Sequence, residues 1–254
     1  MTTIDLNADL GESFGPWSMG DDAAMLGIVS SANIACGGHA GDSATMFDTL
    51  TLAAGNGVCV GAHPGFEDRQ GFGRRRLPLT PIEIEQLIAA QVGTIKGVAG
   101  LTNTTVRYIK PHGALGNWAA ENAEVAQAIA RSIKSAHADC AVLAISGTEL
   151  ESASIQCGLD TYSEIFADRG YADDGNLVPR SQPGAMIEDA ETASARLLQF
   201  FDSGKMPTVN GGKISLKAHS ICIHGDNPHA VDMGKTIKAK LIDAGFTLQP
   251  FITD

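Results

Sequence analysis

Short apolar runs and longer amphipathic segments alternate about seven times along the chain. An apolar run that ends in a polar residue and glycine predicts a buried strand followed by a loop. The predicted strands cover residues 4–8, 30–36, 58–60, 105–109, 141–145, 162–166, 221–223 and 247–251. Apolar residues at helical spacing predict helices over residues 21–28, 42–55, 80–95, 122–133, 147–157, 188–201 and 227–242. The clearest helix start is Thr80, with Pro81 at the first helical position and Glu83 completing a capping box.

This alternation predicts an α/β fold in which one parallel sheet closes into a single TIM-like (β/α) barrel of about seven strands. The chain has 254 residues, close to the ~250 that are typical of such a barrel. The predicted elements follow one another without a linker or a low-complexity segment. We therefore expect residues 1–254 to form one catalytic domain, with its functional groups at the carboxyl ends of the strands.

Polar and ionisable side chains follow several predicted strands, where a barrel of this kind builds its site. They are Asn7, Asp9, Glu12, His39, His63, Lys110, His112, His224 and Asp226. Imidazole and carboxylate groups carry out acid–base catalysis and also bind divalent metals. Two hypotheses stay open. These side chains bind and protonate a small polar substrate, or some of them bind a metal ion, with Asp9, His39 and His63 as the candidate ligands. His137 and His219 lack this context and are interpreted as structural.

Further charged groups lie close to these strand ends. The loop after the third strand holds an arginine cluster, namely Arg69, Arg74, Arg75 and Arg76. Guanidinium groups bind carboxylate or phosphate through paired hydrogen bonds, although a solvated loop or a docking surface would explain the cluster equally well. Asp168 and Arg169 either bind substrate or form an ion pair that orders their loop. Lys110 either stabilises a developing oxyanion or closes a salt bridge in the barrel mouth.

Composition limits which binding partners and which cellular compartment are expected for the protein. The formal net charge of −11 argues against nucleic acid or an anionic membrane surface as a partner. The five cysteines show no C-x-x-C pair and no leader-like segment precedes Asp5, so we expect reduced, buried thiols and a cytoplasmic protein. Gly234-Lys235-Thr236 ends like a phosphate loop, but His229 stands where the motif needs glycine. A homo-oligomer is compatible with the sequence.

Six longer motifs occur in order, at residues 5–12, 32–42, 61–75, 110–115, 166–180 and 221–228. Together they resemble the LamB/YcsF family, also called the 5-oxoprolinase A-subunit family, nearly from end to end. The chain departs from the family pattern at two positions. Gly38 stands where an aromatic residue is expected, and Gly116 stands where tyrosine is expected. Both changes remove a side chain near the expected pocket and so bear on substrate preference.

The resemblance implies a barrel similar to those of glycoside hydrolases and deacetylases, and an ATP-dependent reaction. That reaction opens 5-oxo-L-proline (pyroglutamate) with water to L-glutamate, ADP and phosphate. It also implies separate partner subunits B and C, with ATP as a co-substrate whose binding the partners can share. A divalent metal is a second, weaker expectation for the cofactor.

On this hypothesis, each step of the ring opening has a candidate residue. Lys110 is the cation at the lactam oxygen, and Asp9 or His63 is the base for the attacking water. His224 or His112 is the acid for the departing nitrogen. An arginine of the loop 69–76 binds the substrate carboxylate. The residues expected to bind substrate are Asn7, Glu12, His39, Arg69, Arg74, Arg75, Asp168, Arg169 and Asp226.

Two alternatives to this function stay open. One is a metal-dependent carbohydrate deacetylase or amidohydrolase, which would need a divalent ion and no ATP. The other is a non-catalytic component that only binds the lactam or scaffolds its partners. It would keep its ligand affinity when Asp9 and His63 are replaced.

Overall fold

The computed structural model of the protein describes residues 2–224 and 230–252. The strands are β1 (Thr2–Leu10), β2 (Ser31–Ala35), β3 (Cys59–His63), β4 (Val106–Ile109), β5 (Ala141–Ile145), β6 (Thr161–Phe166), β7 (Lys205–Pro207), β8 (Lys213–Ser215), β9 (Ser220–Ile223) and β10 (Phe246–Leu248). The helices are α1 (Asp22–Leu26), α2 (Ser43–Asn56), α3 (Pro81–Ala99), α4 (Gly113–Glu121), α5 (Ala123–Ala136), α6 (Glu149–Gln156), α7 (Ala190–Ser203) and α8 (Ala230–Asp243).

Within these residues, seven parallel strands close into a barrel in the order β1-β2-β3-β4-β5-β6-β9, and β9 pairs back onto β1. This confirms the predicted barrel of about seven strands. The first strand pairs with three neighbours, since its residues 2–4 also pair in parallel with β10. The final strand predicted at 247–251 therefore exists, but it extends the sheet outside the closed ring.

The first strand shows how the sequence separates the two faces of the barrel wall. Successive side chains of a strand point to opposite faces. Ile4, Leu6, Ala8 and Leu10 belong to the main apolar core, which the surrounding helices complete. The alternate residues, Asp5, Asn7 and Asp9, are buried and bond to groups on other strands of the barrel. The inside of this barrel is therefore polar, whereas the layer between barrel and helices is apolar.

The helix starts follow the predicted capping chemistry. Asp21, Asp42 and Asn122 each accept a backbone N–H in the first turn of the helix that follows. Thr80 and Glu83 form the expected capping box at the start of α3. That helix places Ile84, Ile88, Val92 and Ile95 against the barrel, and full burial of each such side chain contributes about 1.5–3 kcal/mol.

Three elements were not predicted, namely helix α4 and the two strands of a short hairpin. Helix α4 (Gly113–Glu121) begins at a glycine with a positive φ of 53° and contains a second glycine, Gly116. Glycine lowers helix propensity, so the sequence of this segment gives only a weak helix signal. The hairpin of β7 and β8 is short and contains Pro207, and such segments give little periodic signal.

All five cysteines lie in the described part of the chain, and none of them forms a disulfide. Cys36, Cys140 and Cys222 are buried as expected, whereas Cys59 and Cys157 are only partly buried. Over residues 2–224 and 230–252, none of the helices combines the length and the apolar character needed to cross a bilayer.

Candidate active site

A cavity of about 450 Å³ opens at the carboxyl ends of the barrel strands. Nine of the ionisable residues singled out from the sequence line it: Asp9, Glu12, His63, Arg74, Arg76, Lys110, His112, Arg169 and His224. The lining also includes Phe72, Trp118 and Phe166, so the walls combine apolar rings with ionisable groups. Such a mixture is typical of a pocket for a small polar ligand.

Lys110 lies at the centre of the charged part of the cavity. It follows β4, and its ammonium is 3.1 Å from Asp9 Oδ1 and 2.9 Å from Glu164 Oε1. It also donates to Asn7 Oδ1 at 3.3 Å and contacts Cys222 Sγ at 3.1 Å. The five side chains come from four strands or strand ends, so closure of the barrel is what creates this cluster.

Amide side chains beneath Lys110 hold the carboxylates in place. Asn33 Nδ2 donates to Asn7 Oδ1 at 2.7 Å and to Asp9 Oδ1 at 2.8 Å. Asn7 Nδ2 in turn donates to Glu164 Oε1 at 2.9 Å, and Tyr108 Oη donates to Asn33 Oδ1 at 2.7 Å. Asn7 does not contribute to the cavity lining, so it positions the charged groups from below.

The pKa values of this cluster follow from burial and neighbouring charge. Burial opposes the charge of Asp9, but His63 and Lys110 hold the pKa of Asp9 well below its ordinary value. Burial also opposes the charge of Lys110, yet Asp9, Cys222 and Glu164 hold the Lys110 pKa well above its ordinary value. For Glu164 burial dominates and raises the pKa despite the nearby ammonium. The site therefore pairs a firmly charged carboxylate with one that holds its proton more readily.

His63 and His112 stand at the next layer toward the cavity mouth. His63 Nε2 is 3.4 Å from Asp9 Oδ2 and 3.0 Å from His112 Nδ1. Each ring also contacts a backbone carbonyl: His63 Nδ1 is 2.6 Å from Lys110 O, and His112 Nε2 is 2.9 Å from Phe72 O. Burial, together with His63, lowers the pKa of His112 well below its ordinary value.

His39 lies behind this pair and does not line the cavity. Its ring stacks on His112 with a centroid separation of 3.6 Å and an interplanar angle of 2°. Its Nε2 is 3.1 Å from Glu12 Oε1. Burial and the neighbouring imidazoles of His112 and His63 lower the pKa of His39 well below its ordinary value. His39 thus supports Glu12 and His112 instead of contacting a ligand.

On the opposite side of the cavity, His224 follows β9 and is oriented by Asp168. The Nδ1 atom of His224 is 2.8 Å from Asp168 Oδ2. Burial opposes the charge of Asp168, but His224 and Arg169 hold the pKa of Asp168 below its ordinary value. Arg169 itself donates to the carbonyl oxygens of Ala185 at 3.1 Å and Val178 at 2.7 Å. Asp168 and Arg169 thus each have hydrogen-bond partners of their own around the cavity.

The arginines of the loop 69–76 point in different directions. Arg74 lines the cavity, with its guanidinium 4.9 Å from the Phe72 ring centroid. Arg69 instead donates to Gly37 O at 2.9 Å, and Arg75 pairs with Asp68. The structure therefore places Arg69 and Arg75 outside the cavity lining, in contrast to the sequence-based expectation.

Of the two glycine departures, only Gly116 lines the cavity. At Gly38, a Cβ would lie 2.5 Å from Gln91 Nε2 and 2.7 Å from Gly65 O. Gln91 occupies this space and hydrogen-bonds both backbone groups of Gly65. Asp226, also predicted as a substrate-binding residue, lies outside the described residues.

Glu164 and Arg180 are among the cavity-lining side chains that sequence reasoning missed. Glu164 is 1% exposed in the middle of β6, and Arg180 lines the wall near Arg169. The signal for Glu164 was a carboxylate inside a predicted strand, directly before the apolar pair Ile165 and Phe166. Arg180 raises the local positive charge: burial, with Arg180 nearby, lowers the Arg169 pKa to about 10.

Comparison with known proteins gives a consistent set of relatives. The profile of the LamB/YcsF family matches residues 4–253. The chain is 46% identical over 252 residues to a protein from Rhodopseudomonas palustris (strain BisA53) that is named as the A subunit of 5-oxoprolinase, and the match covers 99% of each sequence.

Among solved structures, the lactam utilization protein from Thermus thermophilus superposes with a TM-score of 0.91 at 37% identity, covering 98% of this chain and 99% of that chain. A protein described as T48 deacetylase superposes with a TM-score of 0.50 at 14% identity, covering 98% of this chain and 88% of that chain. The second likeness shows a shared fold alone.

Proposed function

The chain belongs to the LamB/YcsF family, and from this membership and the buried charge cluster we propose that it is the A subunit of an ATP-dependent 5-oxoprolinase. The reaction is the opening of 5-oxo-L-proline with water to L-glutamate, coupled to conversion of ATP to ADP and phosphate. Subunits B and C are its proposed partners. The cytoplasmic location and a homo-oligomeric state remain predictions.

One observation supports this proposal most directly: a charged lysine is buried at the base of the cavity between two carboxylates. A five-membered lactam is a poor electrophile, so ring opening needs positive charge at its carbonyl oxygen or at a phosphate placed on that oxygen. Lys110 supplies such a charge, because Asp9 and Glu164 keep it protonated in a buried setting. A cation fixed in a cavity of low dielectric stabilises an oxyanion much more than the same cation in water.

The neighbours of Lys110 supply the remaining roles. Asp9 is ionised and lies beside the cavity, so it is the proposed base that orients the attacking water. His224 is the proposed acid for the departing nitrogen, since Asp168 fixes its Nδ1 and leaves Nε2 for a ligand. His112 suits this role less well because its Nε2 already contacts Phe72 O.

Recognition of the substrate carboxylate is assigned to the arginines of the cavity wall. Arg74 and Arg169 both line the cavity, and they provide fixed positive charge at some distance from Lys110. A carboxylate bound there would direct the lactam ring toward Asp9 and Lys110.

Partner subunits account for the ATP requirement, because the sequence has no standard phosphate loop. The test is glutamate release from 5-oxo-L-proline, measured with this chain alone and with its candidate B and C subunits, with and without ATP. We expect glutamate and ADP in equal amounts only in the complete mixture. Complete B and C subunits that release glutamate without this chain would contradict the proposed role.

A second candidate is a metal-dependent amidohydrolase, favoured by the approach of Asp9, His63 and His112 to one another. It predicts amide hydrolysis without ATP, and so the omission of ATP separates the two functions. A purely lactam-binding role predicts instead that lactam binding survives the loss of Asp9 and His63.

A further inference from the structure

The hydrogen bonds of two histidines determine where their ring protons lie. A carbonyl oxygen only accepts, so a ring nitrogen at hydrogen-bond distance from it must donate. His63 Nδ1 is 2.6 Å from Lys110 O, and His112 Nε2 is 2.9 Å from Phe72 O. In a neutral imidazole the other nitrogen then carries a lone pair. These nitrogens are His63 Nε2 and His112 Nδ1.

The two lone-pair nitrogens face each other across 3.0 Å. Two carboxylate oxygens also approach these nitrogens: Asp9 Oδ2 is 3.4 Å from His63 Nε2, and Glu12 Oε1 is 3.7 Å from His112 Nδ1. With both rings neutral, four electron-rich atoms converge and none of them can donate a hydrogen bond to another. A cation between them would turn this repulsive contact into a favourable one.

We propose that Asp9 Oδ2, His63 Nε2 and His112 Nδ1 bind one borderline divalent cation such as Zn²⁺ or Co²⁺, with Glu12 beside it. The three atoms lie within 4.8 Å of one another. Metal bonds of about 2.0–2.2 Å at a tetrahedral angle place neighbouring ligand atoms about 3.4 Å apart. The observed separations of 3.0 and 3.4 Å are close to that value.

The surroundings of the two imidazoles match those of metal ligands. A ligating histidine usually donates its second N–H to a carbonyl or carboxylate, which fixes its tautomer and its orientation. Both His63 and His112 do so, and the carbonyl partners belong to Lys110 and Phe72 of the same cavity wall. A donor set of two nitrogens and one oxygen suits Zn²⁺ and its neighbours in the first transition row.

The ring stacking sets His39, the histidine that the sequence suggested as a ligand, apart from the group Asp9, His63 and His112. An imidazole lone pair lies in the plane of its ring. The His39 and His112 rings are parallel within 2° and 3.6 Å apart, so their nitrogens cannot both aim at one ion between the rings. His39 instead contacts Glu12 and holds that carboxylate near the proposed ion.

A bound divalent ion would polarise a carbonyl oxygen or acidify a water molecule in the cavity. The proposal does not depend on the proposed function, because the lone pairs converge whatever the substrate is. Turnover by metal-free protein would leave the ring-opening function intact, whereas a failure to bind metal overturns only this inference.

The test is a titration of the chelator-treated, full-length chain with Co²⁺, read by visible d–d absorption and by elemental analysis after gel filtration. We expect one ion per chain and displacement by Zn²⁺. His63→Ala, His112→Ala and Asp9→Asn should each weaken binding by at least about 100-fold. His137→Gln is the matched control, because the His137 side chain lies outside the cavity lining, with its Nε2 at 3.1 Å from Ala89 O, and it should bind as the wild type does.

Circular dichroism establishes that each variant is folded, and Asp9→Asn decides the case if an alanine variant unfolds. A wild-type chain that binds no Co²⁺ or Zn²⁺ would overturn the proposal, since a shared proton would then separate the two imidazoles. Undiminished binding by the folded Asp9→Asn variant would overturn it as well.

Discussion

Asp5 and Asp9, two aspartates of β1, have pKa values that are shifted in opposite directions by their surroundings. Asp5 and Asp9 lie four residues apart, face the barrel interior and are both buried. Asp5 accepts hydrogen bonds from the hydroxyls of Ser30 and Ser31 at 2.6 and 2.7 Å, and also from Ser220. Burial raises the Asp5 pKa to about 6, whereas Lys110 and His63 hold the Asp9 pKa low despite burial.

The difference shows that burial alone does not determine what a carboxylate in this barrel can do. Neutral hydroxyls satisfy the lone pairs of Asp5 but supply no charge, so its burial cost remains. At Asp9 the ammonium of Lys110 offsets the same cost and keeps the group ionised. The lower end of the barrel is thus a structural polar layer, and the mouth holds the charges needed for chemistry.

The largest effect is expected for a matched pair of isosteric substitutions. Asp9→Asn removes the proposed base and should lower glutamate release in the complete mixture by about 10²–10⁴-fold. Asp5→Asn keeps the shape of the lower layer and should leave the rate within about threefold, because rotating hydroxyls can also donate to or accept from an amide. Equal losses in both variants would remove the functional distinction between the two ends.

A second comparison concerns how much a buried and an exposed ion pair each contribute to the free energy of unfolding. Lys110→Met leaves Asp9 and Glu164 buried without their cation, and the free energy of unfolding should fall by about 3–5 kcal/mol. Lys96→Met breaks an exposed pair with Asp139, whose N–O distance is 2.7 Å, and should cost at most about 1 kcal/mol. Urea unfolding followed by circular dichroism measures both changes. Similar losses would mean that the buried cluster adds little beyond a surface pair.

The pH dependence of stability tests the lower end. The folded-state pKa of Asp5 is raised from 3.8 to about 6, so the folded chain binds the proton more tightly than the unfolded chain. The contribution of Asp5 to stability is therefore complete below about pH 4 and is lost as the pH rises through about 6. Relative to Asp5→Asn, the wild type should lose about 3 kcal/mol over this range. A difference between the two proteins that is constant with pH would contradict the raised pKa.

The smallest effect is expected in the arginine loop. Arg74→Ala should raise the KM for 5-oxo-L-proline about tenfold, equivalent to about 1.4 kcal/mol, with a smaller change in kcat. Arg69 contacts Gly37 O and the Phe14 ring, outside the cavity lining. Arg69→Ala should therefore leave KM unchanged. A rise in KM for Arg69→Ala equal to that for Arg74→Ala would show that the loop rearranges when substrate binds.

The sequence predicted the barrel because its signals are local and periodic. Alternation along β1 and the capping box at Thr80 each depend on a few neighbouring residues, and both appear in the structure as expected. The site was predictable to the extent that its residues follow strands, as His63 and Lys110 do. Helix α4 was missed because its two glycines weaken the local signal.

The remaining site residues depend on geometry that no local pattern encodes. Arg69, Arg74 and Arg75 are close in sequence, yet the Asp68–Arg75 pair and positive φ values of 53° at Phe72 and 61° at Gly73 turn them in different directions. Glu164 sits within a strand, so its role appears only when barrel closure brings it to Lys110. The positions of these side chains depend on contacts between residues that are far apart in the sequence, and residue type alone does not encode them.

The central claim is that the pKa values of two aspartates of one strand are shifted in opposite directions, and carboxyl ¹³C NMR of aspartate-labelled protein tests it most directly. Signals are assigned by their loss in Asp5→Asn and Asp9→Asn. We expect the Asp5 signal to titrate with a midpoint of about 6, and the Asp9 signal to stay at its ionised position from about pH 8 down to about pH 4. Two signals that titrate together near the ordinary aspartate value would contradict the account.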